Sequence, residues 1–157
     1  MVRYFEDLRL GEPGVIGEYE FTETEIVEFA EQWDPLPMHT DPESPGAAQH
    51  GGVIASGFHT LCATARLAGG WRSDIAVVGG LGIDDQRWRA PVEPGDVMTV
   101  EYELVELRRS ASRSDTGVMV GRVTGRVDGE VVVEYDDAGL VACRTDADEA
   151  DEADVDG

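Results

Sequence analysis

Lysine is missing from this sequence: the twelve Lys+Arg positions are all arginine, against 33 Asp+Glu, which leaves a formal net charge of -21 over 157 residues. Without lysine there is no P-loop, no lysine Schiff base and no catalytic lysine pair. Scarce positive charge also removes the electrostatic basis for binding nucleic acid, because a duplex binder must bring Lys and Arg to phosphates and release counterions. An anionic membrane surface is disfavoured on the same ground. Cysteine is equally scarce. Cys62 and Cys143 lie in apolar surroundings, form no CxxC or Cys/His spacing, and are expected to be small core residues in a reducing compartment, with no metal site. No apolar run approaches the length of a membrane span, and Met1-Val2-Arg3-Tyr4-Phe5-Glu6 lacks the apolar segment of a signal peptide, so a cytoplasmic protein is expected.

What is present suffices for one domain: 41% of residues are hydrophobic and 7% aromatic, enough to bury a core despite the charge. The end of the chain, TDADEADEADVDG, alternates acid with alanine, so residues 1–144 are expected to form the domain and residues 145–157 an acidic disordered tail. An acid-rich surface with Arg replacing Lys stays hydrated in multimolar salt, where a Debye length of about 3 Å at 1 M removes most self-repulsion. A halophilic habitat is the expected origin of the charge.

Near the start, Val15, Gly17, Tyr19 and Phe21 alternate with Glu18 and Glu20 as a first strand. Thr22 and Glu25 have capping-box spacing, and Ile26, Phe29, Ala30 and Trp33 follow as one helical face. The stretch from Asp34 to Gly46 carries Pro35, Pro37, Pro42 and Pro45, which predicts a long ordered loop. From Val53 to Ala68 the apolar positions Ile54, Phe58, Leu61, Cys62, Ala65 and Ala68 recur at helical spacing between two glycine pairs, the one helix apolar enough to be central. The period then changes. Ala76 to Arg89 is a strand of weak alternation, Met98 to Leu104 a half-buried strand after the Pro94-Gly95-Asp96 turn, and Met119 to Val127 a strand returning through Asp128-Gly129 into Val131, Val133 and Tyr135. The fold class is α+β, with a long helix available to pack on a curved antiparallel sheet.

Chemistry concentrates in Asp34-Pro35-Leu36-Pro37-Met38-His39-Thr40-Asp41, followed by Gly52-Val53-Ile54-Ala55-Ser56-Gly57-Phe58. An acid and an imidazole on a proline-stiffened segment can converge on one water, one orienting it while the other exchanges its proton. Glycines opening an apolar helix let a substrate approach the backbone, and unpaired N–H groups there point at developing negative charge. Together they suit addition of water to, or its loss from, a carbonyl-activated carbon. Taken singly, Asp34 before Pro35 also reads as a turn residue and His39 as a hydrogen-bonded structural histidine. His50 and His59 have no such acid partner and are expected to be structural, although His59 lies close enough to Gly57 to line a pocket.

Asp34-x-x-Pro37-x-His39-x-Asp41 with Gly52-x-Ile54-Ala55-x-Gly57 resembles the signature of the MaoC-like dehydratases, the (R)-specific enoyl-CoA hydratase branch of the hotdog superfamily. Trp88-x-Ala90-Pro91-Val92-x-Pro94-Gly95-Asp96 is similar to that family's turn into the antiparallel meander, and the resemblance extends over about residues 5 to 144. It implies a hotdog fold, a long helix wrapped by an antiparallel sheet, in a homodimer or higher homo-oligomer with the site at the subunit interface. It further implies an acyl-CoA hydro-lyase of fatty acid metabolism, with the CoA thioester as substrate and no separate cofactor. In these terms Asp34 and His39 activate the water that adds to C3 of a trans-2-enoyl thioester and deliver a proton to C2, while Gly57 donates its N–H to the thioester oxygen. Ser56, Phe58, Met38, Arg87 and Arg89 are the expected substrate-binding residues, with Trp33 another candidate wall and Arg66 another candidate for the CoA phosphates. The family's usual Asn two residues after the catalytic Asp is Leu36 here, and its frequent His before the glycine is Ser56.

Two other readings share the fold. A hotdog thioesterase would direct water at the carbonyl carbon and release a free thiol, and a non-catalytic acyl-thioester-binding dimer would bind CoA esters without turnover. The charge itself generates the first test: near-UV circular dichroism is expected to disappear as molar KCl is dialysed away, whereas full retention in low-salt buffer would contradict the halophilic reading.

Overall fold

The structure is a computed structural model and describes residues 1–145, so the expected acidic tail, Thr145 apart, lies outside the described residues. In chain order the elements are β1 Pro13–Glu20, α1 Glu23–Trp33, α2 Pro37–Thr40, α3 Pro45–Ala48, α4 Gly57–Trp71, β2 Val77–Trp88, β3 Val97–Arg109, β4 Thr116–Val127 and β5 Glu130–Ala142. The strands form one five-stranded sheet in the order β1-β3-β4-β5-β2, every neighbouring pair antiparallel. Helix α4 lies against it, with Trp71 on the Tyr102 ring at 4.9 Å and Thr64 Oγ1 2.7 Å from the Tyr135 hydroxyl. This is the α+β arrangement that the period change along the chain predicts.

Alternation places the core. Met98, Val100, Tyr102 and Leu104 of β3 are buried, as are Met119, Val123, Val133, Tyr135 and Val141 of the next two strands. Glycines of β4 leave room for rings from elsewhere: a Cβ on Gly121 would collide with Tyr102, and one on Gly117 with Phe5. The β4–β5 connection is the two-residue hairpin expected, Asp128 at φ 50° and Gly129 at φ 82°, which matches the twist of the flanking strands. Thr22 caps α1 by accepting the Glu25 N–H, and its hydroxyl donates to the Glu25 carboxylate at 3.2 Å. Among the described residues no helix is long and apolar enough to cross a membrane.

Four expectations need correction. A register shift between Val15 and Gly17 moves β1 by one position, so Val15 is exposed and Ile16 packs on the core. The proline-rich stretch is not a continuous loop, because Pro37 and Pro45 each start a short helix at a position where the missing N–H costs nothing. Helix α4 starts at Gly57 rather than near Val53 and runs through Gly69-Gly70 to Trp71. Its inner face is also different: His59, Thr60, Ala63, Thr64 and Ala68 are buried, while Phe58 and Cys62 are exposed. The rings of Tyr102 and Tyr135 already fill the space above the sheet, so small and β-branched residues fit beneath the helix. Phe58 and Cys62 instead meet Phe29 and Trp33 of α1 in an outward-facing apolar groove of about 520 Å³. Cys143 is buried as expected, and Trp33 is 66% exposed.

His59 faces away from solvent, stacked on Phe29 at 4.6 Å with Phe21 edge-on at 4.9 Å. The Tyr19 hydroxyl is 3.4 Å from Nε2, and Nδ1 has no partner. Burial pushes this imidazole below its ordinary value, against a smaller upward pull from Glu25. The folded chain therefore binds fewer protons than the unfolded chain as pH drops below about 6.5, and stability present above that value is lost toward the lowered folded one. The melting temperature of the wild type relative to His59→Phe is expected to fall progressively between about pH 7.5 and 5.5. A difference independent of pH would contradict the assignment.

Candidate active site

Pro35 disfavours helix at the residue before it, so α1 ends with Asp34 at φ -155° and ψ 70°, its backbone N–H still donating to the Ala30 carbonyl at 2.9 Å. The carboxylate thus projects from a helix end. Pro37 then opens α2, whose single turn carries His39 inward to 3% exposure. His39 Nδ1 lies 2.7 Å from the Ile54 carbonyl, and the Ile54 N–H donates to the Met38 carbonyl at 3.2 Å, so α2 is braced against the strand-like segment before α4. A carbonyl only accepts, so Nδ1 carries the proton and a neutral His39 presents the Nε2 lone pair. That atom faces Asp34 Oδ2 at 3.5 Å. Two acceptors facing each other suit a shared water as donor.

The same carboxylate oxygen accepts from Ser56 Oγ at 2.6 Å, and Ser56 Oγ accepts the Phe58 N–H at 3.2 Å. Ser56 is 0% exposed, which corrects its placement among substrate contacts: its hydroxyl joins the acid of α1 to the first turn of α4. Gly57 is the first residue of α4, where no intrahelical acceptor exists for its N–H, and none is found elsewhere among the described residues.

Asp34, His39 and Gly57 converge on one cleft of about 540 Å³, which Trp88 to Val92 also line. Met38, Phe58 and Arg89 also line it. Arg89 is already paired, its Nε donating to Glu134 Oε1 at 2.8 Å. Arg87 does not line the cleft and donates to the Gln86 carbonyl at 2.7 Å. Arg66 is exposed on α4 away from the lining, Trp33 belongs to the neighbouring groove, and His59 faces the core. Leu36, in place of the usual Asn, is a half-exposed part of the cleft wall. Reasoning from sequence missed Thr60 and Trp88 as lining residues. The period of α4 carries a signal for Thr60, one turn past Gly57, but nothing local links Trp88 to the helix. Among the described residues no group of three or more His, Cys, Asp or Glu could hold a metal ion.

The family described as MaoC-like domain matches residues 11–126. The 3-hydroxybutyryl-CoA dehydratase of Methylorubrum extorquens is 30% identical over 138 residues, 85% of this chain and 84% of that protein. Among solved structures, a MaoC-like dehydratase from Rhodospirillum rubrum is 30% identical, with a TM-score of 0.77 over 91% of this chain and 99% of that one. A monoamine oxidase regulatory protein from an Archaeoglobus is 25% identical, with a TM-score of 0.80 over 92% and 97% of the two chains. The helix-and-sheet arrangement is thus the hotdog fold.

The double duty of the Ser56 hydroxyl gives a specific expectation. Ser56→Ala removes a helix cap and a hydrogen bond to a carboxylate, so stability should fall by about 1–3 kcal/mol, measured by urea unfolding at fixed salt. An unchanged midpoint would contradict the join.

Proposed function

The chain belongs to the MaoC-like family of hotdog dehydratases, and from that premise we propose that it is an (R)-specific enoyl-CoA hydratase, adding water to a trans-2-enoyl-CoA or removing it from the 3-hydroxyacyl-CoA. The observation that carries this reading is the meeting, in one cleft, of the Asp34–His39 pair and the free N–H of Gly57. Water held between Asp34 Oδ2 and His39 Nε2 is aimed at C3. As its oxygen bonds to C3, the dyad takes the proton it loses and passes a proton to C2, so that one H and one OH are added in total. Electron density moves meanwhile onto the thioester oxygen, where the Gly57 N–H stabilises it.

Around this centre, Met38 and Phe58 are the apolar walls for the acyl group. Arg89 is the guanidinium at the cleft for the CoA phosphates and must exchange Glu134 for them. A homodimer fits the surface: β2 is an edge strand, and its Val78, Leu81 and Ile83 are each more than half exposed. A second copy paired along that edge would cover them.

Asp34→Asn and His39→Gln test the mechanism, because each keeps the shape of the side chain while removing its proton chemistry. Each is expected to slow the hydration of crotonyl-CoA, followed by loss of enoyl absorbance at molar KCl, by about 10²-fold or more. Near wild-type rates in both variants would refute the assigned roles.

A further inference from the structure

We propose that Trp88, the last residue of β2, is a positioning residue that fixes the direction of the Gly57 N–H toward the thioester oxygen, an inference that rests on the hydratase reading above. Gly57 is not in the left-handed region, so its conformation does not call for glycine. Space does. A Cβ at this position would collide with the indole of Trp88, which lies directly on the Gly57 backbone. The glycine at the start of the helix thus admits a side chain of the same subunit on that face.

The indole is held there by a directed contact. Trp88 Nε1 donates to the Gly57 carbonyl at 3.0 Å, and the Phe58 ring meets the indole edge-on at 5.6 Å. Thr60 Oγ1 donates to the same carbonyl at 2.7 Å. On the other side of Gly57, Ser56 is tied through its hydroxyl to Asp34. Glycine has the widest backbone freedom of any residue, and here it is restrained from both directions, by the proton-transfer pair through Ser56 and by the indole through its carbonyl. The Gly57 N–H belongs to the peptide that begins at Ser56 and its carbonyl to the next one, so contacts at both ends of the residue give the N–H a fixed aim, which is what stabilisation of a developing oxyanion requires. Trp88 is 47% exposed. Burial alone therefore does not hold it, and its fixed place depends on this hydrogen bond and on Phe58. Gln86 offers a rival acceptor, since its amide oxygen, turned to satisfy both ends, lies 3.3 Å from Nε1.

Trp88→Phe keeps an aromatic wall and deletes the donor, and Gln86→Met deletes the rival acceptor. In the full-length protein, Trp88→Phe is expected to lower kcat for crotonyl-CoA hydration about tenfold, the weight of one such hydrogen bond, with KM within about twofold. Gln86→Met should leave both constants unchanged. The amide signal of Gly57 in the isotope-labelled protein should shift and exchange with solvent faster in Trp88→Phe, a readout that needs no turnover. Unchanged kcat together with an unmoved Gly57 amide would overturn the proposal, as would a fall in kcat that merely tracks a lower unfolding midpoint. Absence of hydration by the wild type would instead overturn the hydratase reading and with it the catalytic role of Trp88, leaving the amide signal to decide whether the indole holds the backbone.

Discussion

The hydrogen bond from Ser56 to Asp34 is the contact on which the site depends. It ties the C-terminal end of α1 to the N-terminal end of α4, beside the stack of Phe29 on His59 that also joins the two helices. One buried hydroxyl holds the acid, caps the helix and precedes the residue whose N–H is left free. The His39–Ile54 contact adds the third side, since a backbone carbonyl decides which imidazole nitrogen faces the acid. Acid, base and N–H thereby share one rigid corner of the fold. A misplacement of about 1 Å at such a corner is costly for catalysis.

Much of this was legible in the residues. The two-residue alternation of β3 and β4 marked the buried positions, Asp128-Gly129 marked the hairpin, and the spacing of Asp34 and His39 on a proline-stiffened segment marked the cleft. What stayed hidden shares one physical cause, which is tertiary competition for space. Cys62 and Phe58 look like core by helical period, yet α4 turns Ala63, Thr64 and Ala68 inward toward a sheet that carries tyrosine rings, and leaves Phe58 and Cys62 outside. Ser56 looks like a substrate contact when its partner 22 positions earlier is not known. Trp88 reads as the end of a strand, because nothing in its own neighbourhood shows that it lies on Gly57. Prolines misled in the same way: Pro37 and Pro45 break helices in general but begin these two.

The charge imposes a second constraint. Arginines are engaged with carboxylates over the surface, as in Arg3–Asp74, Arg113–Asp115 and Arg122–Asp136, and Arg89 at the cleft is engaged with Glu134. Exposed pairs of this kind contribute little to stability and leave the large acid excess in place. An anionic CoA ester, the ligand proposed above, would therefore reach the cleft against a repulsive field and compete with Glu134 for Arg89. Molar salt weakens both obstacles, so the habitat inferred from composition and the ligand inferred from the site are compatible.

In the proposed reaction water is directed to C3 of an enoyl thioester and not to its carbonyl. Incubation of the wild-type protein with crotonyl-CoA in heavy water at molar KCl, with products identified by mass spectrometry and chiral chromatography, tests it most directly. The expected product is (R)-3-hydroxybutyryl-CoA with its thioester intact and one carbon-bound deuterium, at C2. Release of free CoA with crotonate, or no conversion while the ester still binds, would contradict it.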